Sequence, residues 1–496
     1  MKKINTVSLT FFMLAVSACS DFLNEDLQGT YSNASFYKTE SQATLALNGI
    51  YNVSSFITTD NALWVFGDVA SDDAVRGGKP GDLIDIQYID DFNYSRNNGI
   101  LEKIWKHYYE GISRANYLLY YGNGINMDVD LRNRILGEAK FLRAYFYFTL
   151  VNIFGEIPLK LNPPLNTSEL NKPKVAVNAI YEQIEKDLGE ATAVLDDSYT
   201  GSNVGRVTKG AAWGMLAKVY LYQQKWTEAL QAIGEMEATG MYTLVSVYKN
   251  NFLDSTQNNT ESVFEIQHLA GQSPLLGSYL NQYFGPVAYN GYMVNVPVEN
   301  FITEFEITDA AVVDPRLDYT VGREGQPWVN GEAYDPGWSP TTGYLQKKHI
   351  QPLREGPVNN DAALNYVYLR YADILLMKAE ALNELNRPDE ALTPLNAVRK
   401  RARESYLFDM DLPGAGAIPA GLLPDVTDNG QQAVRLAIRH ERRVELGFEF
   451  HRFFDLMRYG KDAAEAALEE TGFVYDKNRY FLIPQSELDT NPAIDH

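Results

Sequence analysis

The 496-residue chain holds one cysteine, Cys19, so an intramolecular disulfide is impossible. Its six histidines, at 107, 268, 349, 440, 451 and 496, show no metal-ligand spacing, and no HExxH occurs. No metal and no cofactor are expected. The P-loop, the dinucleotide-binding glycine fingerprint and the GxSxG elbow are all missing. A basic surplus is missing too. The net charge of −21 excludes a nucleic-acid partner and argues against holding anionic lipid by charge alone. Beyond the N-terminus no apolar run has the length of a membrane-spanning helix, and no long low-complexity tract occurs. Paired carboxylates for glycoside hydrolysis carry no signal here, because an acidic chain supplies many such pairs.

The first residues combine Lys2 and Lys3, an apolar run at 9–15, and Val16-Ser17-Ala18 directly before Cys19. That is a secretory signal with small residues at the cleavage point. The order Val-Ser-Ala-Cys looks like a bacterial lipobox, in which the cysteine is lipidated and becomes the mature N-terminus. Residues 1–18 are therefore expected to be a lipoprotein signal peptide and 19–36 a lipidated, polar tether. Such a chain is anchored to a membrane rather than spanning it.

The rest of the chain is organised around EAKFLRAYFYFTLVNIFGEIP, residues 138–158. Leu142, Phe146, Leu150 and Ile153 fall on one helical line, with Phe141, Tyr145 and Phe148 beside it. Two adjacent lines predict a helix buried on most sides, capped by Asp128 or Asp130 and stopped by Gly155 and Pro158. Further helices are expected at 40–57, 101–121, 175–195 and 434–459. In the last of these, Arg442/Glu445, Glu449/Arg452 and Asp455/Arg458 stand at i,i+3 and predict three local ion pairs. Residues 67–94, rich in Gly, Asp and Asn, read as a long loop whose Asp72-Asp73 run is a solvated turn.

Trp213, Leu216, Ala217, Tyr220, Ala229 and Ile233 follow the spacing of a tetratricopeptide (TPR) repeat. A second copy at Leu375, Ala379, Leu382, Ala391 and Leu395 is broken by Lys378. The copies lie far apart in sequence, so unrelated material is inserted between them. That material, about 241–365, reads as loops with a few short strands.

Several stretches carry a resemblance. AKFLRAYFYFTLVNIFGEIPL, VTKGAAWGMLAKVYLY, YLRYADILLMKAEALNEL, the ERRVEL…FE-x-HR-x-FDL-x-R-x-G run and the IPQSE-x-D-x-NP tail resemble the SusD/RagB family of outer-membrane nutrient-binding lipoproteins, in that family's order. The resemblance implies a mainly α fold. It would be a single SusD-like domain, 37–496, of four TPR-like helix pairs that include 208–236 and 370–400, with a loop-rich region carrying a few short strands. It implies no enzyme but a surface-exposed lipoprotein in the outer membrane, facing the cell exterior. Such a protein binds an oligosaccharide and acts with a SusC-like TonB-dependent transporter in nutrient uptake. Peptide binding, as in RagB-like relatives, is the alternative ligand class. A surface glycoside hydrolase and a TPR scaffold for protein partners are readings of other classes.

The ligand site of that family lies in variable loops, so candidates rest on residue type and place. Trp105, Trp213 and Trp226 fall on predicted helices and read as packing. Trp64, Trp328 and Trp338 lie in or beside irregular segments near Tyr283, Tyr289, Tyr292 and Tyr334, where an exposed ring stacks on a sugar face. Should those rings prove to be loop anchors, Trp64 and Arg76 mark the other place to look.

Overall fold

The computed structural model describes residues 36–55, 62–351 and 360–494; the signal peptide, Cys19 and nearly all of the tether lie outside them. The helices that build the scaffold and the site are, in chain order, α1 (Glu40–Ser54), α2 (Ile84–Asp90), α3 (Gly99–Gly122), α4 (Val129–Phe154), α5 (Val177–Thr192), α6 (Lys209–Tyr222), α7 (Trp226–Ala238), α8 (Tyr371–Glu384), α9 (Pro388–Phe408), α10 (Gln431–Leu446) and α11 (Arg452–Tyr459), with shorter helices between and after them. The four longest strands among the described residues are β1 (Ala74–Gly77), β2 (Ser262–Ile266), β3 (Val294–Pro297) and β4 (Tyr366–Arg370). They form two antiparallel ladders, β1 with β3 and β2 with β4. None of the described helices is long and apolar enough to cross a membrane.

Helix α4 is the centre of the core. The Asp128 carboxylate accepts the Leu131 N–H at 2.9 Å and so caps its start. Gly155, at φ 71°, ends it. From Ile135 to Phe154 only Lys140 and Asn152 escape full burial. Phe146 lies over Gly111 of α3, where a Cβ would stand 2.4 Å from the ring, so the glycine sets how closely the two helices approach. The helices then pack in sequence, α1 on α3, α3 on α4, and onward to α7. Helix α7 packs on α8, which brings the two TPR-spaced pairs, α6/α7 and α8/α9, side by side. Lys378, the residue that breaks the second copy, reaches across that seam to Glu237 at 2.7 Å. The four pairs α1/α3, α4/α5, α6/α7 and α8/α9 make a mostly helical scaffold, consistent with TPR-like stacking.

Two expectations are corrected. The predicted final helix is two helices, α10 and α11, separated by Gly447–His451. Phe448 and Phe450 adopt φ 62° and 69° there, a conformation that side chains other than glycine rarely take. The break is held by packing: Phe448 and Phe450 are buried, and the Phe450 N–H donates to Asp68 at 3.1 Å. Of the three predicted i,i+3 pairs only Asp455/Arg458 forms, at 2.8 Å. Residues 67–94 are not one long loop either. They carry β1 and α2, and Asp72 and Asp73 are buried against Arg443 and Arg452, at 2.7 Å for Asp73–Arg443 and Asp72–Arg452.

The charges of α10 and of the break after it pair instead with residues distant in sequence. Glu445 accepts from Arg316 at 2.9 Å, from Arg370 at 2.5 Å and from Arg401. Glu449 accepts from Lys348 at 2.7 Å and Arg370 at 2.8 Å. Glu261 bridges Arg370 and Arg401 at 2.8 and 2.7 Å. All of these side chains are nearly or fully buried. A buried charge is tolerable only when paired and hydrogen-bonded, and each one here is.

The buried groups set a pH dependence. Burial would raise Glu449, but the Arg370 and Lys348 charges override it and lower the carboxyl to about 2. Burial lowers His268 and His349 to about 4 and His451 to about 3. In both cases the unfolded chain binds more protons, so stability is lost as pH falls, first through the histidines and then through the carboxylates. His440 has the opposite sign. Burial alone would lower it, but its contacts with Glu304 and Glu306 raise it to about 9, so its contribution is lost as pH rises toward that value. Urea midpoints measured across pH are expected to fall steeply on the acid side and shallowly on the alkaline side. A flat acid limb would contradict the pairing described above.

Candidate functional site

A cleft of about 960 Å³ opens where β1 and α2 face the loops around 287–293 and 337–341. One wall is built by Arg76. Its backbone N–H donates to Asp90 Oδ2 at 2.8 Å. Its guanidinium donates to Gln87 Oε1 at 2.8 Å and to the carbonyls of Asp82 at 2.6 Å and Lys79 at 3.3 Å. Arg76 thus holds the turn after β1 closed on itself. Gly78, at φ 71°, makes that turn possible and leaves room for the guanidinium, which a Cβ would meet at 3.1 Å. Asp90 lines the cleft, and burial pushes its carboxyl up to about 7 against the pull of the Arg76 N–H. Lys79, Gln87, Asp91 and Glu470 supply further polar groups.

The facing wall carries Trp338, half-buried on the short turn Pro336–Trp338. The Asp335 carboxylate starts this turn by accepting the Gly337 N–H at 2.8 Å. Three rings meet the indole edge to face: Tyr289 at 5.3 Å, Tyr334 at 5.4 Å and Trp328 at 6.0 Å. Such pairs fix ring orientation as well as adding to burial. Tyr289 is itself tied by its hydroxyl to Glu332 at 2.5 Å.

Of the residues singled out in the sequence, the cleft brings together Arg76 and Trp338. The expectation of exposed indoles is corrected for the other two loop tryptophans. Trp64 is 1% exposed and packs in the main core on Tyr283 and Phe284. Trp328 is 3% exposed and packs with Tyr334 over Gly322, whose missing side chain makes room for both rings. Tyr283 and Tyr292 meet edge to face at 5.4 Å, with Tyr292 exposed, and neither lines the cleft. Gln87, Asp90 and Asp91 were missed because their segment reads as loop. The spacing of Ile84, Ile86 and Ile89 is the only sign of the short helix that presents them.

Residues 255–495 match the model of the SusD family, and residues 21–221 match a model described as starch-binding and associating with the outer membrane. Two SusD-like proteins of Formosa agariphila are 29% and 26% identical, over 98% and 96% of this chain and 96% of each relative. The solved structure of a laminarin binding SusD-like protein superposes with a TM-score of 0.76 at 29% identity, covering 92% of this chain and 99% of that one. A SusD superfamily structure from Bacteroides vulgatus superposes at 0.77 with 23% identity, covering 93% and 99% of the two chains. The likeness runs from the N-terminal helices to the C-terminal tail and includes the mostly helical scaffold described above: this chain belongs to the SusD family.

Proposed function

We propose that this protein is a glycan-binding lipoprotein of the outer membrane and that the cleft between Arg76 and Trp338 holds the glycan. One observation carries the reading: a half-buried indole, locked by three rings, stands in a cleft where apolar side chains such as Val75, Val287 and Met293 alternate with the hydrogen-bonding groups of Gln87, Asp90, Asp91 and Thr341. A sugar needs both kinds of surface, a flat apolar face for its C–H side and polar groups for its hydroxyls. The likeness to a laminarin binding SusD-like protein supports an oligosaccharide rather than a peptide. Binding needs no catalytic group. The partner is a SusC-like TonB-dependent transporter, into which the captured oligosaccharide passes. Cys19 carries the lipid anchor, on the outer face of the cell.

Replacing Trp338 by Ala is expected to weaken glycan binding about tenfold, as for the loss of one stacking ring, and to leave melting nearly unchanged. Replacing Trp328 by Ala, in contrast, is expected to lower the melting temperature because that ring is core. Calorimetric titration of both variants with laminarin fragments and with peptides checks this. Normal glycan affinity in Trp338→Ala would place the site elsewhere, and binding of peptides alone would change the ligand class. Cys19→Ala is expected to release the protein from membranes in a salt wash, since stable anchoring takes lipid chains. Unchanged retention would refute the anchor.

A further inference from the structure

A second cleft lies on the helical scaffold and shares no residue with the first. Its volume is about 430 Å³, within the range of ligand pockets. It forms where the ends of α4 and α6 and the start of α5 meet α11 and the C-terminal segment 475–480. Five rings line it: Tyr181, Tyr222, Phe454, Tyr475 and Tyr480. Core packing accounts for part of each ring but not for the space left between them.

Two details point to a polar occupant. Tyr222 is the ring at the inner end, and its hydroxyl has no hydrogen-bond partner among the described residues. Behind it, a chamber of about 30 Å³, room for one water, has mostly aromatic walls, with Thr149, Lys218 and Tyr222 as polar groups among them. Lys218 Nζ donates to Asp373 Oδ2 at 3.0 Å and stands 3.3 Å from His451 Nδ1. An ammonium has three donors, so one remains for the chamber.

The rim decides the chemical class. Arg479 stacks over Tyr475 and Tyr480 at 5.5 and 4.6 Å, and Lys225 is neutralised by Glu185 at 2.5 Å. Glu182 stands on the same rim. Arg458 also lines the cleft and is neutralised by Glu380 and by Asp455 at 2.8 Å, so neither sign dominates once these partners are counted, and the amides of Asn152 and Gln223 sit among the rings. Both amides are already bonded, Asn152 Nδ2 to the Phe148 carbonyl at 2.6 Å and Gln223 Nε2 to Glu185 at 2.7 Å, but a purely apolar ligand would cover the Tyr222 hydroxyl and the Glu182 carboxylate without bonding them. A neutral polyhydroxyl ligand satisfies both.

We propose that this cleft is a second glycan site, taking one end of a neutral oligosaccharide. The proposal rests on the reading of the protein as a glycan binder but not on where the first site lies. Two separate sites on one chain would raise retention of a long glycan without tightening either site.

The test uses the full chain and an array of neutral oligosaccharides that includes laminarin fragments. Tyr475→Ala removes one ring. Asn178→Trp fills the mouth from an exposed position on α5 and leaves the core untouched. In a Trp338→Ala background, weak binding of at least one array member is expected to persist, and either second-cleft substitution is expected to weaken it about tenfold. Melting curves confirm that the variants fold. The proposal is overturned if Trp338→Ala binds nothing, if residual binding ignores both substitutions, or if the unmodified chain binds no array member. Wild-type affinity in Trp338→Ala that is lost on adding Asn178→Trp would refute the first site and uphold the second.

Discussion

Replacing Glu445 by Gln is expected to destabilise the protein by about 3–5 kcal/mol, the range for removing one partner of a buried ion pair. Glu445 is the one carboxylate shared by Arg316, Arg370 and Arg401, and it is fully buried. Glutamine keeps the shape and one acceptor oxygen but removes the charge, and its amide points donors where guanidinium donors already stand. The three guanidiniums keep other partners in Asp314, Glu261, Glu441 and Glu449, so the chain still folds at low temperature. The measurement is a urea unfolding curve. A midpoint equal to that of the unmodified protein would mean that the charge at 445 is dispensable.

Replacing Phe146 by Ala is expected to cost a similar amount, about 3–5 kcal/mol, for a different reason. The ring is fully buried at the α3–α4 crossing, with Tyr108 and Tyr145 each 5.5 Å away. Its loss opens a cavity lined by side chains too rigid to fill it. Gly111, directly beneath, offers no atoms to close the gap. A smaller hydrophobic replacement, Phe146→Leu, is expected to recover part of the loss. Thermal melts of the two variants decide this, and an unchanged melt for Phe146→Ala would place the ring outside the core.

Much of the helical scaffold was legible because periodicity reports burial directly. Helix α4 announces itself by two apolar lines, and the TPR spacing marks both α6/α7 and α8/α9. The break between α10 and α11 was not legible. Its left-handed residues are phenylalanines rather than glycines, so no local preference marks it; the tertiary packing around Phe448 and Phe450 imposes it. The ion pairs were misread because i,i+3 spacing sees only partners on the same helix. Arg452 instead pairs with Asp72, and Glu449 with Lys348 and Arg370. In the cleft, residue type identified Trp338 and Arg76, but type alone cannot tell an indole that lines a cavity from one that fills a core. Trp64 and Trp328 differ from Trp338 only in what surrounds them.

The buried charges also bear on the order in which the chain can acquire its shape. Arg316, Lys348 and Arg370 leave the ribosome well before Glu441, Glu445 and Glu449; Arg316 can meet Asp314 and Arg370 can meet Glu261 early, but Lys348 must wait for Glu449. Until the last hundred or so residues arrive, the middle of the chain lacks the carboxylates of Glu441, Glu445 and Glu449. The N-terminal helices α1 to α7 pack on one another earlier, with Lys218 of α6 waiting for Asp373 of α8. Maturation therefore has a late, single closing step, in which the C-terminal segment locks the loops onto a scaffold already standing. A chain cut short before α10 would lack Arg443 and Arg452, which hold Asp72 and Asp73 at the start of the Arg76 wall.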